Sequence, residues 1–298
     1  MTEANSEQPL VYLIVLNWNG FEDTDECIRS LQQVSYSNQR ILVVDNGSSD
    51  DSPERIEETF PELALLRLNE NKGIAYGYNR GMEAALANGA DYLVVMNNDL
   101  VFHSDFVTQM LKVQQNWSGC GVVMPKIYYY EAPEVIWSAG GRTRWMPSNV
   151  LLRGRKQKDG PAYATATELD FAPSCCLLMT ADVAGTVSFD EDYFFYYDDW
   201  DFCRQVRDAG WRIVFAPDAH IWHKVSQSTQ NSPNSLRWWR ILGQSCVRYH
   251  RKHHNHALLL VYVAWVVVRE LAKGNIKSLP SYLQGVFSGV RAEVGGSY

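Results

Sequence analysis

Short apolar runs rich in β-branched residues alternate with amphipathic segments over the first 125 residues of the chain. The apolar runs predict strands, and the segments between them carry apolar residues at helical spacing. Strands that are apolar at nearly every position and separated by helices are typical of a parallel sheet covered on both faces. The pattern therefore predicts an α/β fold, with strands at 10–16, 40–45, 64–68 and 91–96 and helices at 22–34, 51–59, 75–88 and 104–115.

Three of the predicted strands end in clusters of polar residues. The clusters are "NWNG" at 17–20, "DNGSSDDS" at 45–52 and "NNDL" at 97–100. In an open parallel sheet, ligands bind beyond the carboxyl ends of the strands, where these clusters lie. The sequence therefore predicts a single crevice at this edge of the sheet, lined by all three clusters.

The regular pattern stops between about residues 126 and 180, a stretch rich in Tyr, Trp, Gly and Pro that predicts mixed β structure with loops. It resumes with a predicted helix at 198–210, followed by a strand at 212–217 and a loop at 218–223. After about residue 234 the pattern is helical. We therefore predict a main domain at 1–232 and a helical extension at 233–298.

Charge and cysteine content narrow the classes of partner and compartment. A net charge of −7 and a pI near 5.5 lack the basic character that nucleic-acid binding needs, so no nucleic acid is predicted as a partner. Six cysteines without CxxC spacing or a dense framework indicate a reducing, intracellular environment. The acidic, polar N-terminus is unlike a signal peptide, and the predicted location is the cytoplasm.

An apolar run at 257–268 lies within the C-terminal helical region. It is shorter than the roughly 20 residues that a spanning helix needs, so no transmembrane segment is predicted. Its basic flanks, "HRKHHNH" and "RELAKGNIK", suit a helix in peripheral contact with anionic lipid on the inner face of the cell membrane. A buried helix, or a contact between copies in an oligomer, is the alternative interpretation.

Asp45 and a set of regularly spaced glycines each admit both a structural and a chemical interpretation. Asp45 would either cap the next helix or hydrogen-bond the base or ribose of a nucleotide. Gly73, Gly77 and Gly81 recur every four residues, which favours close helix packing because the spacing is not that of a dinucleotide-binding loop. The sequence contains no NAD or P-loop signature.

The third strand end combines residue types that suit a metal. Asn97 and Asp99 are two apart after a strand, so both side chains point to one side of it. Amide and carboxylate oxygens suit a hard divalent cation that also binds substrate phosphates, whereas a strand-end turn is the structural alternative. His223 would add an imidazole to that site, or be an ordinary core or surface histidine.

Three acids, Asp198, Asp199 and Asp201, are crowded among aromatic residues at the start of a predicted helix. Mutual repulsion and burial raise carboxyl pKa values, although the helix dipole acts in the opposite direction. A carboxylate with a raised pKa would serve as a general base, and a helix-capping cluster is the alternative.

The ordered set of motifs resembles glycosyltransferase family 2, most closely its bacterial rhamnosyltransferase-like branch. The motifs are "VLNWNG", "VVDNGSSDDS", "NKGIAYGYNRG", "VVMNNDLVF" and "FDEDYFFYYDDWDFCRQVRDAGWRIVFAPDAHIWH". The likeness runs from about residue 10 to 225. It implies a Rossmann-like glycosyltransferase type A fold. It also implies inverting transfer of a sugar, such as rhamnose, from a nucleoside-diphosphate sugar to a saccharide or lipid-linked acceptor in cell-surface polysaccharide synthesis.

The resemblance also implies roles for residues that bind the sugar-nucleotide donor. Asp45 would contact the base or ribose, and Asn79 would lie near the nucleotide. Asn17 and Asn98, in the clusters at the strand ends, are further candidates for substrate binding.

Other roles concern metal and acceptor. Asn97 and Asp99 match the family's Asp-x-Asp position, and His223 matches a histidine that completes a site for Mg²⁺ or Mn²⁺. Asp199 matches the carboxylate that deprotonates the acceptor, with its neighbour Asp198 as the alternative. Asn97 departs from the aspartate of many relatives, which should weaken metal binding by the free protein, so the cation would arrive with the diphosphate.

Two other functions compete with this interpretation. A nucleotidyltransferase would use a similar sheet and a metal, but it normally needs a Gly-rich basic loop near the first strand, and "LNWNGFEDTDE" is acidic. A non-catalytic sugar-nucleotide-binding or membrane-associated scaffold would keep the binding clusters without needing Asp199, which is present.

Overall fold

The structure is a computed structural model that describes residues 8–143, 150–225 and 235–291. Each strand and helix predicted in the first 125 residues forms, with ends displaced by a few residues at most. These elements are Val11–Asn17 (β1), Phe21–Leu31 (α1), Gln39–Asp45 (β2), Ser52–Thr59 (α2), Ala64–Arg67 (β3), Ile74–Ala87 (α3), Tyr92–Asn97 (β4) and Phe106–Asn116 (α4). A short strand that the pattern does not predict, Leu100–Phe102 (β5), lies between β4 and α4.

The middle of the chain is mostly short strands, as its irregular pattern predicts. They are Cys120–Tyr129 (β6), Ala132–Ser138 (β7), Gly141–Thr143 (β8), Val150–Leu152 (β9), Gln157–Lys158 (β10), Thr167–Leu169 (β11) and Cys176–Thr180 (β12). The elements that follow are Ala181–Thr186 (α5), Asp198–Asp208 (α6), Arg212–His223 (β13), Ser235–Lys252 (α7), His256–Ala272 (α8) and Leu279–Arg291 (α9), with short 3₁₀ turns at Pro161–Tyr163 and Ile276–Ser278.

One mixed sheet, with strand order β10-β7-β6-β12-β4-β1-β2-β3, forms the centre of the protein. The half formed by β4, β1, β2 and β3 is parallel, because β1 pairs in parallel with both β2 and β4, and β2 pairs in parallel with β3. Antiparallel β12 joins β4 to β6, and β13 lies parallel to β6. The predicted α/β fold with a mostly parallel sheet is confirmed.

Helices cover both faces of the parallel half. On one face α3 lies so close to β1 that a Cβ on Gly77 would stand 2.4 Å from Leu16 Cδ1, and one on Gly81 would stand 2.5 Å from Ile14 Cγ2. The predicted packing role of these glycines is confirmed. On the other face α1 and α2 bury a cluster of Ile28, Val43, Ile56 and Phe60.

The loop predicted at 218–223 was wrong, because β13 continues to His223. A register shift between Ala216 and His220 absorbs the irregular residues around Pro217, after which the strand pairs with β5 and β6. Ile221 and His223 are buried on this continuation. The pairing therefore extends the strand past Pro217, where the local sequence pattern predicts that the strand ends.

The C-terminal helices pack on one another and on the segment before α6. α7 and α9 meet through glycines, since a Cβ on Gly243 would stand 2.3 Å from the Tyr282 carbonyl oxygen and one on Gly285 would stand 2.0 Å from that of Arg240. α7 and α8 also share a small core with Tyr193 and Tyr197. The division at 232/233 stays a prediction. Within the described ranges, no helix combines the length and apolarity needed to cross a bilayer.

Candidate active site

The three polar clusters that follow strands meet at one edge of the sheet. Asn17, the last residue of β1, is paired in register with Asp45, the last of β2, and Leu16 is paired with Asn97, the last of β4. Since the strands are parallel, the segments that follow them leave the sheet side by side. The predicted meeting of the clusters at the carboxyl ends of β4, β1 and β2 is confirmed.

Asp45 is a buried carboxylate held by its own loop and by β1. Its Oδ1 accepts hydrogen bonds from Asn17 Nδ2 at 2.8 Å and from the Ser48 hydroxyl at 2.5 Å, and its Oδ2 accepts the Ser48 N–H at 3.1 Å. Each carboxylate oxygen accepts about two donors, so Oδ2 retains capacity for one more. The bonds to Ser48 close a turn just after β2, whereas Asp51 precedes α2, so the predicted cap of that helix by Asp45 was wrong. The remaining capacity suits a ribose or base donor.

Asn17 is fully buried at the end of β1. Besides Asp45, its amide donates to the Ser48 and Ser52 hydroxyls at 3.2 and 3.0 Å, and its carbonyl oxygen accepts from the Thr24 hydroxyl at 2.8 Å. Every polar atom of this side chain therefore has partners within the protein. Asn17 orients Asp45, and its predicted direct contact with substrate has no support in this geometry.

Asn79 is also occupied within the protein. Its Oδ1 accepts the Phe189 N–H at 3.0 Å, and its Nδ2 donates to the Phe189 carbonyl at 2.8 Å and to Glu191 Oε1 at 2.9 Å. These bonds join α3 to the segment that leads into α6. A direct contact with a nucleotide would have to replace them, so the predicted location of Asn79 near the nucleotide stays a prediction.

Asn97 and Asn98 point to opposite sides of the strand end. Asn97 Oδ1 accepts the Tyr78 hydroxyl at 2.8 Å on the α3 side. Asn98 Nδ2 donates to the Thr24 hydroxyl at 2.9 Å and to the Gly20 carbonyl at 3.2 Å on the α1 side. Both side chains are only partly buried, and they tie the end of β4 to the two covering helices.

Asp99 and His223 meet although 124 positions separate them in the chain. His223 Nε2 lies 3.1 Å from Asp99 Oδ2, and both residues are buried. The Trp137 ring packs edge-on against the imidazole with its centroid 4.6 Å away. The pairing of β13 with β5, which places His223 opposite Leu100, produces this contact.

The donor atoms around Asp99 fit a cation only in part. Across the described ranges, no three His, Cys, Asp or Glu residues are grouped so that they could hold a metal ion. Asp99 and His223 offer a carboxylate oxygen and an imidazole nitrogen, whereas the amide oxygen of Asn97 is engaged by Tyr78. Mg²⁺ keeps several waters and is usually bound through one or two carboxylates plus substrate phosphates. The residues present therefore fit a cation whose shell a diphosphate completes.

Asp198 and Asp199 are the first two residues of α6. Asp198 is buried and its Oδ2 accepts the Ser174 hydroxyl at 3.3 Å, whereas Asp199 is partly buried and accepts the Trp200 N–H at 2.9 Å. Burial raises the pKa of Asp198 to about 6. Burial, together with the charge of Asp198, raises the pKa of Asp199 well above its ordinary value. The predicted effect of crowding and burial on these carboxyl pKa values is confirmed in direction.

A sharp backbone turn at Tyr196 and Tyr197 immediately precedes the two acids. Tyr196 and Tyr197 have φ of 64° and 65°, the left-handed region that non-glycine residues rarely adopt. Tyr197 and Trp200 then pack against Tyr249 of α7, with ring centroids 5.4 and 6.1 Å from it. Packing around the turn thus maintains a backbone conformation that is unfavourable by itself.

Tyr78 and Cys175, which the sequence patterns did not single out, are each close enough to both groups of acids that, besides burial, the charges of those acids raise their pKa values. Burial raises the pKa of the Tyr78 hydroxyl well above its ordinary value, and nearby Cys175, Asp198 and Asp99 add to the shift. The Cys175 carbonyl accepts the Asn97 N–H at 2.9 Å. In sequence, Tyr78 carries only the signal of a buried helix face. Its position shows that the Asp99 side and the Asp198 side belong to one site.

Side chains at the C-terminal end of α7 hold the segment that carries the acids. Asp201, in the first turn of α6, is fully buried, and Asp190 and Asp192 lie on the segment before the helix. The ion pairs are Lys252–Asp201 at 2.7 Å, Lys252–Asp190 at 2.8 Å and Arg248–Asp190 at 3.2 Å, with Arg248 also contacting Asp192. His253, just after α7, places its Nε2 2.9 Å from Asp201 Oδ1. A helix beyond residue 232 therefore positions the candidate base.

Asp201→Asn is expected to lower the free energy of unfolding by about 3 kcal/mol, because Lys252 and His253 would lose the buried carboxylate between them. It should also lower kcat, since the first turn of α6 carries Asp198 and Asp199. Urea unfolding at neutral pH measures the first effect, and initial rates measure the second.

Asp208→Asn is the matched control. Asp208 lies on the same helix, but its ion pair with Arg204 is exposed and should contribute less than about 1 kcal/mol. Equal losses of stability in the Asp201 and Asp208 variants would contradict the buried ion pairs as the support of α6.

Comparison with known sequences agrees with the motifs. A family model described as glycosyl transferase family 2 matches residues 12–182, more than half of the chain. An N-acetylglucosaminyl-diphospho-decaprenol L-rhamnosyltransferase of Mycobacterium tuberculosis is 28% identical over 235 residues, covering 70% of this chain and 74% of the relative. A dTDP-rhamnosyl transferase of Shigella flexneri is 20% identical over 314 residues, covering 96% of this chain and 97% of the relative.

Solved structures of other glycosyltransferases share the fold. A mannosyltransferase from Pyrobaculum calidifontis, in complex with GDP-Man and Mn²⁺, aligns with a TM-score of 0.56 at 17% identity, over 97% of this chain and 77% of the other. GalNAc-T7 with UDP, GalNAc and Mn²⁺ aligns with a TM-score of 0.59 at 11% identity, over 80% of this chain and 48% of the other. The glycosyltransferase type A fold predicted from the motifs is confirmed.

The family match covers the strands whose ends form the donor side of the site, and the two relatives support the rhamnosyltransferase-like branch. The chain belongs to glycosyltransferase family 2 and is a glycosyltransferase.

Proposed function

We propose that the protein is an inverting glycosyltransferase that moves rhamnose from a nucleoside-diphosphate sugar to a saccharide or lipid-linked acceptor in the synthesis of a cell-surface polysaccharide. One observation supports this most strongly. The strand-end residues suited to a sugar nucleotide and a pair of acids with raised pKa values are both near the buried Tyr78 hydroxyl, which bonds to Asn97 and whose pKa is raised by burial and by the charges of Asp198 and Asp99.

On the donor side, Asp45 accepts a hydrogen bond from the ribose or base with the capacity left on its Oδ2. Asp99 and His223 would hold a divalent cation together with the diphosphate. When bound, the cation offsets the negative charge that develops on the leaving diphosphate. Asn97 and Asn98 keep the strand end in place by their bonds to α3 and α1.

On the acceptor side, Asp199 takes the proton of the acceptor hydroxyl. The acceptor oxygen bonds to the anomeric carbon while the bond from that carbon to the diphosphate oxygen breaks, and the bonding electrons leave with the diphosphate. The transition state resembles the oxocarbenium ion of glycoside hydrolysis. A single displacement of this kind inverts the anomeric configuration. Asp198, held by Ser174, raises the pKa of Asp199 toward the operating pH.

The sugar and the acceptor follow from the relatives. Both relatives described above are named rhamnosyltransferases, and the name of the mycobacterial one specifies a saccharide on a decaprenyl diphosphate. We infer a deoxyhexose donor of the same class and a polyprenyl-linked saccharide acceptor. Such an acceptor is confined to a bilayer, so the enzyme would work in the cytoplasm in peripheral contact with the inner face of the cell membrane.

Among dTDP-rhamnose, UDP-glucose, UDP-N-acetylglucosamine and GDP-mannose, we expect dTDP-rhamnose to give the fastest acceptor-dependent release of nucleoside diphosphate. The assay is run with Mn²⁺, with Mg²⁺ and with a chelator, and the product linkage is determined by NMR. The Asp199→Asn variant supplies the background rate. Retention of the donor's anomeric configuration, or a faster rate with a hexose donor, would contradict the proposal.

A further inference from the structure

α8 exposes an apolar face that the fold does not use. Apart from His256 at the start of the helix, the exposed positions recur at helical spacing and are all apolar: Ala257, Leu260, Val261, Ala264, Trp265, Val268, Leu271 and Ala272. Leu260 is 75% exposed and Val268 is 64% exposed. A contiguous patch of this kind on a protein surface marks an interaction site more often than chance exposure does.

The opposite face of α8 attaches the helix to the protein. Val266 and Glu270 are buried, and Leu259 and Tyr262 pack against the core that includes Tyr197. The exposed stripe is therefore oriented outward by a fixed scaffold. A loosely attached helix could turn its apolar side inward, but these contacts prevent that rotation.

The charge of the C-terminal segment is opposite to that of the rest of the chain. Residues 235–291 contain nine Lys and Arg and one acid, Glu270, for a net charge of +8 in a chain whose total is −7. Lys273 and Lys277 are exposed in the turn immediately after α8. Arg269 lies over the Trp265 ring, with its guanidinium carbon 4.7 Å from the centroid. Trp beside a basic residue is typical of the interface between a bilayer and water.

We propose that this lipid-docking surface, formed by the exposed stripe of α8 and the Lys273–Lys277 turn, binds the surface of an anionic bilayer. The stripe inserts at the level of the lipid headgroups and the lysines contact anionic lipid. A second copy of the chain would bring two strongly positive segments together, which disfavours a dimer across the same face. Binding to the bilayer would bring the enzyme to a lipid-linked acceptor. Only this consequence, and not the membrane binding itself, rests on the proposed function.

Sedimentation of the full chain with vesicles tests the surface without any substrate. The wild-type protein should bind vesicles of phosphatidylcholine with added phosphatidylglycerol, bind pure phosphatidylcholine far less, and be released by high salt. Lys273→Gln and Lys277→Gln should each weaken binding about fivefold. Leu260→Glu and Val268→Glu should each weaken it by about tenfold or more.

Leu151→Glu is the matched control, because Leu151 is 56% exposed on β9, outside the lipid-docking surface. It should bind vesicles like the wild type, and circular dichroism should show all variants folded. Equal binding to anionic and neutral vesicles would overturn the proposal. Unchanged vesicle binding by Leu260→Glu would also overturn it. So would a wild-type protein that does not bind vesicles and that light scattering shows to be a dimer, if Leu260→Glu converts that dimer to monomers. Vesicle binding without transferase activity would contradict the proposed function alone.

Discussion

Asp199→Asn is expected to lower kcat by about two to four orders of magnitude, with little change in donor binding. Asparagine keeps the shape of the side chain but cannot accept the proton of the acceptor hydroxyl. In the proposed mechanism, donor affinity depends instead on Asp45 at the end of β2 and on the Asp99 site just after β4, rather than on α6. Steady-state kinetics, together with calorimetric titration of the nucleoside diphosphate, separate the two effects.

Asp198→Asn tests which carboxylate is the base. Asp198 is bound to Ser174, and its proposed part is to raise the pKa of Asp199, so its replacement should lower kcat much less. If Asp198→Asn is the inactive variant and Asp199→Asn retains activity, the base is Asp198. If both variants retain activity, neither acid carries the proton transfer.

The pH dependence should follow from the raised carboxyl pKa values. A base must be ionised, so kcat/KM should fall with decreasing pH in a range well above that of an ordinary aspartate, because burial and the charge of Asp198 raise the pKa of Asp199. A carboxyl pKa that is higher in the folded state means that the folded protein binds the proton more tightly. The ionised pair therefore destabilises the fold at neutral pH. Asp199→Asn should raise the melting temperature at pH 7 while it abolishes turnover.

Asp99→Asn is expected to lower kcat by about a hundred- to a thousandfold, because the amide removes the negative charge that would hold the cation at the diphosphate. The variant keeps the shape of the buried contact with His223, so circular dichroism and melting should remain close to those of the wild type. Calorimetric titration with Mn²⁺, with and without nucleoside diphosphate, gives a readout independent of turnover. We expect measurable Mn²⁺ binding only when the diphosphate is present.

Asn98→Ala is the companion control for the metal site. Asn98 borders Asp99 in sequence but bonds to Thr24 on the α1 side, so its loss should leave Mn²⁺ affinity unchanged. Full activity of the wild type after treatment with a chelator would contradict the metal role. So would Mn²⁺ binding by Asp99→Asn that equals that of the wild type.

Local patterns were sufficient for the parallel half of the fold. Strand β1, "VYLIVLN", is apolar up to its last residue, and α1 buries Cys27, Ile28 and Leu31 at helical spacing. Whether each of these segments forms a helix or a strand depends on the apolar pattern of a few neighbouring residues, so it can be predicted from the sequence. Because parallel strands end at a common edge, the meeting of Asn17, Asp45 and Asn97 also followed from the pattern.

Residues that act across long separations needed the tertiary structure. The side-chain amide of Asn79 could hydrogen-bond a ligand, yet it bonds to the backbone of Phe189, 110 positions away. The metal role of Asn97 also had to be weighed against the Tyr78 hydroxyl that occupies its oxygen. Hydrogen-bonding capacity is a property of the residue type, but the partner that uses it depends on how the chain folds back.

The sequence by itself determined the α/β order of elements, the edge where the site forms and the acids that compete for the role of base. The tertiary structure decided that His223 meets Asp99, that Lys252 and His253 hold the first turn of α6, and that the apolar face of α8 points outward. Backbone preference and apolar periodicity depend on residues that are close in sequence, so they can be recognised from the sequence alone. Burial and charge pairing depend on which distant segments come together, and an apolar run has the same sequence whether the fold covers it or exposes it.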